Sequence, residues 1–176
     1  MSEANSLLNI PLISRVRRNH ALEHATMNVL GERYKALRLV ARSAPGGFTI
    51  YGDVPTEGVI AAAQEGLRRL KTGQRQMAIH PTCGTNLAVA GVLAGVGAFL
   101  ALGGLSRNRP TSLFQSLLRL PLACVAAMMG VLLAQPLGPL LQARVTTEAN
   151  VGDLRIVAIA QERRAGIPVH HVRTSG

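Results

Sequence analysis

The sequence contains no tryptophan, and aromatic residues make up only 3% of it. Proteins that bind single-stranded nucleic acid stack the bases on aromatic side chains, so this kind of binding has little support here. The basic residues are scattered along the chain, and no nucleic-acid recognition motif occurs. Glycine patterns of the Rossmann and P-loop types are also missing. We therefore expect no nucleic-acid partner.

Acidic residues and cysteines are scarce as well. Nine Asp and Glu stand against 19 Lys and Arg, which gives a net charge of +10, and 48% of the chain is hydrophobic. A basic excess of this size suits an anionic membrane surface. The two cysteines, Cys83 and Cys124, lie in different contexts and do not predict a disulfide framework. The short apolar run Leu7–Ile13 is followed rather than preceded by arginines, so no secretory signal is expected. Residues 1–13 are instead expected to be a loosely ordered lead.

Two long uncharged runs interrupt the chain. Residues 86–105 and 120–141 cover 20 and 22 positions, and about 20 residues are needed to cross a bilayer core as a helix. The alternative is a pair of buried helices in a soluble bundle, but this chain is too short to cover both runs on all faces. Gly91 and Gly95 form a GxxxG pattern that would let another helix approach closely. These runs predict a transmembrane hairpin.

The distribution of positive charge predicts the orientation of that hairpin. Eleven Lys and Arg precede the first run, three lie between the runs and five follow the second. Because positive charge is retained on the cytoplasmic side, both termini are expected there. The predicted location is the cell membrane, with more than one crossing.

The polar segments on either side of the hairpin predict one small α+β domain in the cytoplasm. Thr56 is the expected cap of its second helix, and the apolar stripe of that helix is Ile60, Ala63, Leu67 and Leu70. The whole chain is then divided into residues 1–83, 84–142 and 143–176. The predicted elements of the polar segments are, in chain order, a helix over Val16–Leu30, strands Leu37–Ser43 and Phe48–Tyr51, a helix over Pro55–Lys71, and strands Gln76–His80, Leu154–Ala160 and Val169–Arg173.

The first helix carries the motif His20-Ala21-Leu22-Glu23-His24. Positions i, i+3 and i+4 share one face of a helix, so His20, Glu23 and His24 are expected to point the same way. Two imidazoles one turn apart can bind a single zinc ion. Zinc lowers the pKa of a bound water to about 7, and a neighbouring carboxylate can then accept its proton. This combination suits hydrolysis of a peptide bond.

A catalytic zinc needs a third protein ligand and one open position. We favour His80, because it lies in a tight polar loop directly before the first uncharged run. Cys83 is the close competitor, although a fourth protein ligand would close the site and make it structural. His170 and His171 are adjacent on a predicted strand and therefore point to opposite faces, so at most one could contribute. We expect these two to be a solvated pair.

The segment His20–His24 resembles the active-site helix of the inverzincin metallopeptidases, whose motif is H-x-x-E-H. This resemblance implies that His20 and His24 ligate zinc and that Glu23 is the general base. Such peptidases recruit a distant downstream glutamate, which makes Glu148 a further ligand candidate. The run HALEHAT followed by two apolar spans is also similar to a group of small uncharacterised bacterial membrane proteins. That second likeness covers most of the chain and implies no activity.

The sequence thus predicts a membrane-embedded or membrane-anchored zinc metallopeptidase that acts at the cytoplasmic face. Its expected partners are a peptide or membrane-protein substrate, the lipid bilayer and a second copy of the chain. The strand Phe48–Tyr51 is a candidate sheet edge to which an extended substrate could add. Two alternatives stay open, namely a non-enzymatic membrane protein with a structural or sensing metal site, and a basic membrane-surface adaptor without metal.

Overall fold

The computed structural model describes residues 8–34, 38–104 and 112–176. The chain forms two compact units, which we call the polar unit (residues 1–80 with 142–176) and the helical hairpin (residues 81–141). Three parts of the sequence predictions lie outside the described residues, namely the lead over residues 1–7, the start of the first strand at Leu37 and the connector over residues 106–111.

The polar unit combines helices with a small antiparallel sheet, which confirms the α+β class. Its first helix begins earlier than predicted, because Pro11 occupies the first helical position, where its missing N–H is not needed. Residues 11–13 are therefore helical and not a loosely ordered lead. The elements of this unit are α1 (Pro11–Arg33), β1 (Val40–Ala44), β2 (Gly47–Tyr51), α2 (Thr56–Lys71), a 3-10 turn (Arg75–Ala78), a π-helical turn (Gln142–Thr146), β3 (Arg155–Arg164) and β4 (Ile167–Ser175).

The four strands form a single sheet in the order β1-β2-β4-β3. Both predicted hairpins are present, and pairing of β2 with β4 joins them, with Ile50 opposite His170. The second hairpin thus completes the first, as expected. The strand Phe48–Tyr51 is not a sheet edge, however, because β2 has a neighbour on each side. The edges are β1 and β3.

The core of the polar unit lies between the two helices and the sheet. The helices approach closely at Gly66, where a Cβ would lie 3.0 Å from the carbonyl carbon of Ala25. Of the predicted stripe of α2, Ala63 and Leu70 are buried and Leu67 packs against the core, while Ile60 is half-buried. The fully buried side chains of this core are large and apolar, and they include Leu22, Val29, Leu30, Ile50, Val59, Leu154 and Val172.

Two local predictions in the polar unit are wrong. Thr56 does not cap α2, because the capping position is Pro55 and the Thr56 hydroxyl donates to Gln161 instead. The segment predicted as the strand Gln76–His80 begins within the 3-10 turn. There the backbone N–H groups of Met77 and Ile79 bond to carbonyls three residues earlier, so the run satisfies its hydrogen bonds locally.

The helical hairpin consists of α3 (Gly84–Ala101) and α4 (Leu113–Leu141). Both helices are long and apolar enough to cross a membrane, by length and composition. They touch where a Cβ on Gly130 would lie 2.6 Å from the carbonyl carbon of Leu93. Within the described hairpin, nothing lies within 4 Å of a Cβ built on Gly91 or Gly95, so α3 and α4 do not meet at this pair.

Candidate metal centre

Three histidine rings lie together in the polar unit. The ring centroids of His20 and His24 are 4.3 Å apart, and those of His24 and His80 are 5.8 Å apart. Helical spacing explains the first pair, since residues four apart share a face of α1. The second neighbour comes from the end of the segment that follows the 3-10 turn. His24 is only 1% exposed, while the other two are half-buried.

Hydrogen bonds fix the tautomer of the two motif histidines. Nδ1 of His24 lies 2.7 Å from the carbonyl oxygen of Ala78, and Nδ1 of His20 lies 2.9 Å from that of Thr146. A carbonyl oxygen only accepts, so each Nδ1 carries the hydrogen and each neutral ring keeps its lone pair on Nε2. Histidines that ligate metals hold the second ring nitrogen in this way.

His80 has the same tautomer through a different partner. The side-chain nitrogen of Asn28 donates to the carbonyls of Met77 at 3.1 Å and Ile79 at 3.0 Å. This orientation leaves Asn28 Oδ1 to accept from His80 Nδ1 at 2.7 Å. Nε2 of the third ring therefore also carries the lone pair.

The buried Nε2 atom of His24 shows whether these residues suit a metal ion. No described residue forms a hydrogen bond with this atom. A buried acceptor without a partner costs roughly 1–3 kcal/mol, so such atoms are rare in folded proteins. A metal ion would satisfy this lone pair, and imidazole nitrogen is among the ligands that zinc prefers. The donor set therefore fits a metal ion.

Cys83, the competing candidate for the third ligand, belongs to the helical hairpin. Within the polar unit, His20 and His24 are side chains that could bind a metal ion. Cys83 begins the helical hairpin three residues after His80, and its sulfur accepts a hydrogen bond from the backbone N–H of Thr85 at 3.5 Å. The short segment His80–Cys83 thus carries both side chains predicted for the third ligand position.

Glu23 precedes His24 in the motif and is 6% exposed. One of its carboxylate oxygens accepts a short hydrogen bond from the hydroxyl of Ser43 in β1. This contact holds the carboxylate between α1 and the edge strand of the sheet. A carboxylate beside candidate metal ligands can accept a proton from a reacting group.

Glu148, the downstream candidate implied by the inverzincin resemblance, makes other contacts. Its Oε2 pairs with the Arg17 guanidinium at 3.2 Å, and its Oε1 accepts from the backbone N–H of Asn150 at 3.3 Å. The structure therefore places this carboxylate with Arg17, one helical turn before His20. It does not bring Glu148 into the histidine cluster.

His170 and His171 lie outside the cluster, and their expected solvation is wrong for His170. That ring is fully buried, with Nε2 3.2 Å from the hydroxyl oxygen of Thr56. Burial, followed by the charge of His171, lowers the pKa of His170 below its ordinary value. His171 lies on the opposite face of β4, as the alternation predicts, and its Nε2 is 3.0 Å from Glu162.

Several residues that shape the site escaped the sequence analysis. Asn28 was detectable, because it follows His24 by four positions and so shares the motif face of α1. Ser43, Thr146 and Gln142 come from segments distant in the chain. No local pattern in the sequence links those three residues to the histidines.

Residues 15–159 match the model of a family described as a domain of unknown function (DUF6391). An uncharacterised protein from Picosynechococcus sp. (strain ATCC 27264 / PCC 7002 / PR-6) is 32% identical over 168 residues, which cover 90% of this chain and 78% of the relative. No solved structure gives a significant match. The descriptions of these matches state no activity.

Proposed function

This chain belongs to the DUF6391 family, and we propose that it is a membrane-anchored zinc-dependent peptidase. One observation carries the proposal. The buried Nε2 of His24 has no hydrogen-bond partner among the described residues, beside two further rings whose tautomer also leaves the lone pair on Nε2. A cluster of neutral imidazoles oriented through Nδ1 is the arrangement that metal ligands require.

His20 and His24 would hold the ion through Nε2, and the segment His80–Cys83 would supply the third ligand. When bound, zinc supplies a Lewis acid that polarises a carbonyl and activates water near neutral pH. The carboxylate of Glu23 accepts the proton of the attacking water and passes it to the amine nitrogen of the departing peptide. Ser43 orients that carboxylate through its hydroxyl.

The position of β1 supports a peptide as the substrate. β1 is an edge strand, and its Ser43 donates to Glu23, so the unpaired edge of the sheet begins beside the proposed base. An extended peptide can add to such an edge through backbone hydrogen bonds. The edge that would bind the substrate is therefore β1, and not β2, which lies in the centre of the sheet.

The exposure of the helical hairpin supports membrane anchoring. No residue of α3 is buried within the described structure, and Leu87 is 77% exposed. Apolar side chains exposed over two whole helices need an apolar surrounding, which a bilayer provides. With positive charge concentrated outside the hairpin, cleavage would occur at the cytoplasmic face.

Metal content tests the proposed site directly. Detergent-purified protein, prepared without chelators, should contain about one zinc per chain because a catalytic site holds one ion. His24→Ala should lose it, since the substitution removes the most buried ligand. The matched control is His171→Ala, which removes an imidazole outside the cluster and should keep the ion. Wild-type protein without zinc would overturn the proposal.

Glu23→Gln separates binding from catalysis. The amide keeps the size of the side chain but cannot accept a proton, so zinc content should stay unchanged. Hydrolysis of a fluorescent unfolded polypeptide should fall by roughly 10²–10⁴-fold, the usual contribution of a positioned base. Unaltered hydrolysis in this variant would rule out Glu23 as the base.

A second candidate function is a structural or sensing metal site. The spacing of His80 and Cys83 in the sequence favours it, because a site that used both of them together with the two motif imidazoles would have four ligands and be closed. Under this alternative, His80→Ala and Cys83→Ser would both weaken zinc binding, and the wild type would hydrolyse no peptide. Under the peptidase proposal, only one of these two substitutions weakens zinc binding.

A further inference from the structure

We infer that the π-helical turn Gln142–Thr146 is the positioning element of the proposed metal centre, an inference that rests on the proposed function. The turn follows α4 directly in the chain. It contacts both the ring of His20 and the backbone of His80. Single π-helical turns are rare and occur often at functional sites.

Gln142 holds the start of the segment that would supply the third ligand. Its Oε1 accepts from the backbone N–H of His80 at 2.9 Å, and its Nε2 donates to the His80 carbonyl at 3.1 Å. The side chain is fully buried. This two-point amide contact fixes the backbone from which the His80 side chain extends.

Thr146, at the other end of the turn, holds the first motif histidine. Its carbonyl oxygen accepts from Nδ1 of His20 at 2.9 Å. The π geometry presents this carbonyl to the ring, because the N–H of Thr147 bonds five residues back to Gln142 at 2.9 Å. The Thr147 hydroxyl donates to the same carbonyl at 2.8 Å. One short turn therefore orients His20 and fixes the backbone of His80.

Arg17 locks the turn from α1. Its guanidinium donates to the carbonyls of Val145 at 2.7 Å, Thr147 at 3.0 Å and Arg144 at 3.3 Å. It also reaches the Glu148 carboxylate at 3.2 Å. A planar fork with five N–H groups can serve these acceptors together, whereas the point charge of lysine cannot. Arg17 is therefore a second positioning residue.

The test measures zinc affinity of the full-length protein by competition with a chromogenic chelator. The first variant is Gln142→Met, which keeps the side-chain length but removes both hydrogen bonds to His80. Zinc affinity should fall roughly 10–100-fold, the usual effect of removing a group that orients a ligand. The matched control, Gln64→Met, makes the same change on the exposed face of α2 and should leave affinity unchanged.

A spectroscopic signature separates positioning from a purely structural role. The visible spectrum of the cobalt-substituted protein reports ligand geometry, so it should change in Gln142→Met and stay constant in Gln64→Met. Arg17→Lys should lower the zinc affinity and change the cobalt spectrum by a smaller factor. This variant replaces Gln142→Met as the test if Gln142→Met does not fold.

Three results would overturn this inference or its basis. Unchanged zinc affinity and an unchanged cobalt spectrum in folded Gln142→Met or Arg17→Lys would overturn the positioning role while the metal site stands. A lower melting temperature of the metal-free protein with both readouts unchanged would assign these residues to stability alone. A wild type that binds no zinc would remove the proposed function together with this inference.

Discussion

The polar unit and the helical hairpin differ in which side chains they bury and which they expose. Helix α1 buries Asn19, Glu23 and His24, and it gives each of them a partner from a distant part of the chain. Helix α3 buries none of its residues within the described structure and leaves large apolar side chains exposed. Burying polar groups is costly unless they are paired, and it recurs at functional sites. The exposed apolar helices instead have the length and composition of membrane spans.

The largest effect expected from this contrast concerns two leucines. Leu22→Ala in α1 removes a fully buried side chain and should lower the free energy of unfolding by roughly 2–5 kcal/mol. Leu132→Ala in α4 removes one that is 51% exposed and should change it by about 0.5 kcal/mol or less. Thermal unfolding in detergent measures both. Equal losses would mean that the hairpin has a packed core of its own.

A smaller effect concerns acid. Burial lowers the pKa of His170, so the folded state resists protonation more than the unfolded chain does. This contribution to stability is fully present above the ordinary pKa of 6.5 and is lost as the pH falls below it. We expect the melting temperature to fall less between about pH 7 and pH 5 in His170→Gln than in the wild type, since the ordinary pKa of histidine is near 6.5.

The comparison variant is His171→Gln, which removes the smaller of the two causes that lower the pKa of His170. It should therefore reduce the dependence of the melting temperature on pH less than His170→Gln does. The described part of the helical hairpin contains neither histidine nor carboxylate, so acid sensitivity should originate in the polar unit. A flat pH dependence in wild-type protein would contradict this origin.

The smallest effect concerns an exposed ion cluster. Hydrogen bonds from Arg68 and Arg69 lower the pKa of Glu65 to about 2. This contribution is present above the ordinary pKa of 4.5 and is lost as the pH falls toward 2. Glu65→Gln should flatten the fall in melting temperature over that range slightly, because solvent screens exposed pairs. Glu57→Gln, an exposed acid on the same helix, should not.

Much of the fold could be predicted from the sequence, because its signals are local. The motif helix, both hairpins and both apolar helices follow from periodicity, turn residues and uncharged length. The segment ending at His80 was assigned to a strand because a short apolar run does not distinguish strand from turn. The central position of β2 could not be predicted, because its second neighbour in the sheet, β4, lies more than a hundred residues later in the chain.

The candidate site was only partly predictable for the same reason. His20, Glu23 and His24 lie within five consecutive positions, and their spacing places them on one helical face. Gln142, Arg17 and the Thr146 carbonyl act through tertiary contacts, and a backbone carbonyl carries no signature of residue type. Alternation placed His170 and His171 on opposite faces of β4, but it could not show which face the helices cover.

The discontinuity of the polar unit determines when the proposed metal centre can be completed during synthesis. Chains emerge from the ribosome N-terminal end first, at roughly 5–20 residues per second. The motif helix and the first two strands therefore appear before either apolar helix, yet β2 pairs with β4 near the C-terminus. Gln142 and Thr146 also follow the second apolar helix. A nascent chain thus carries the histidine motif without its supports until the hairpin has been made, which confines any activity to the finished protein.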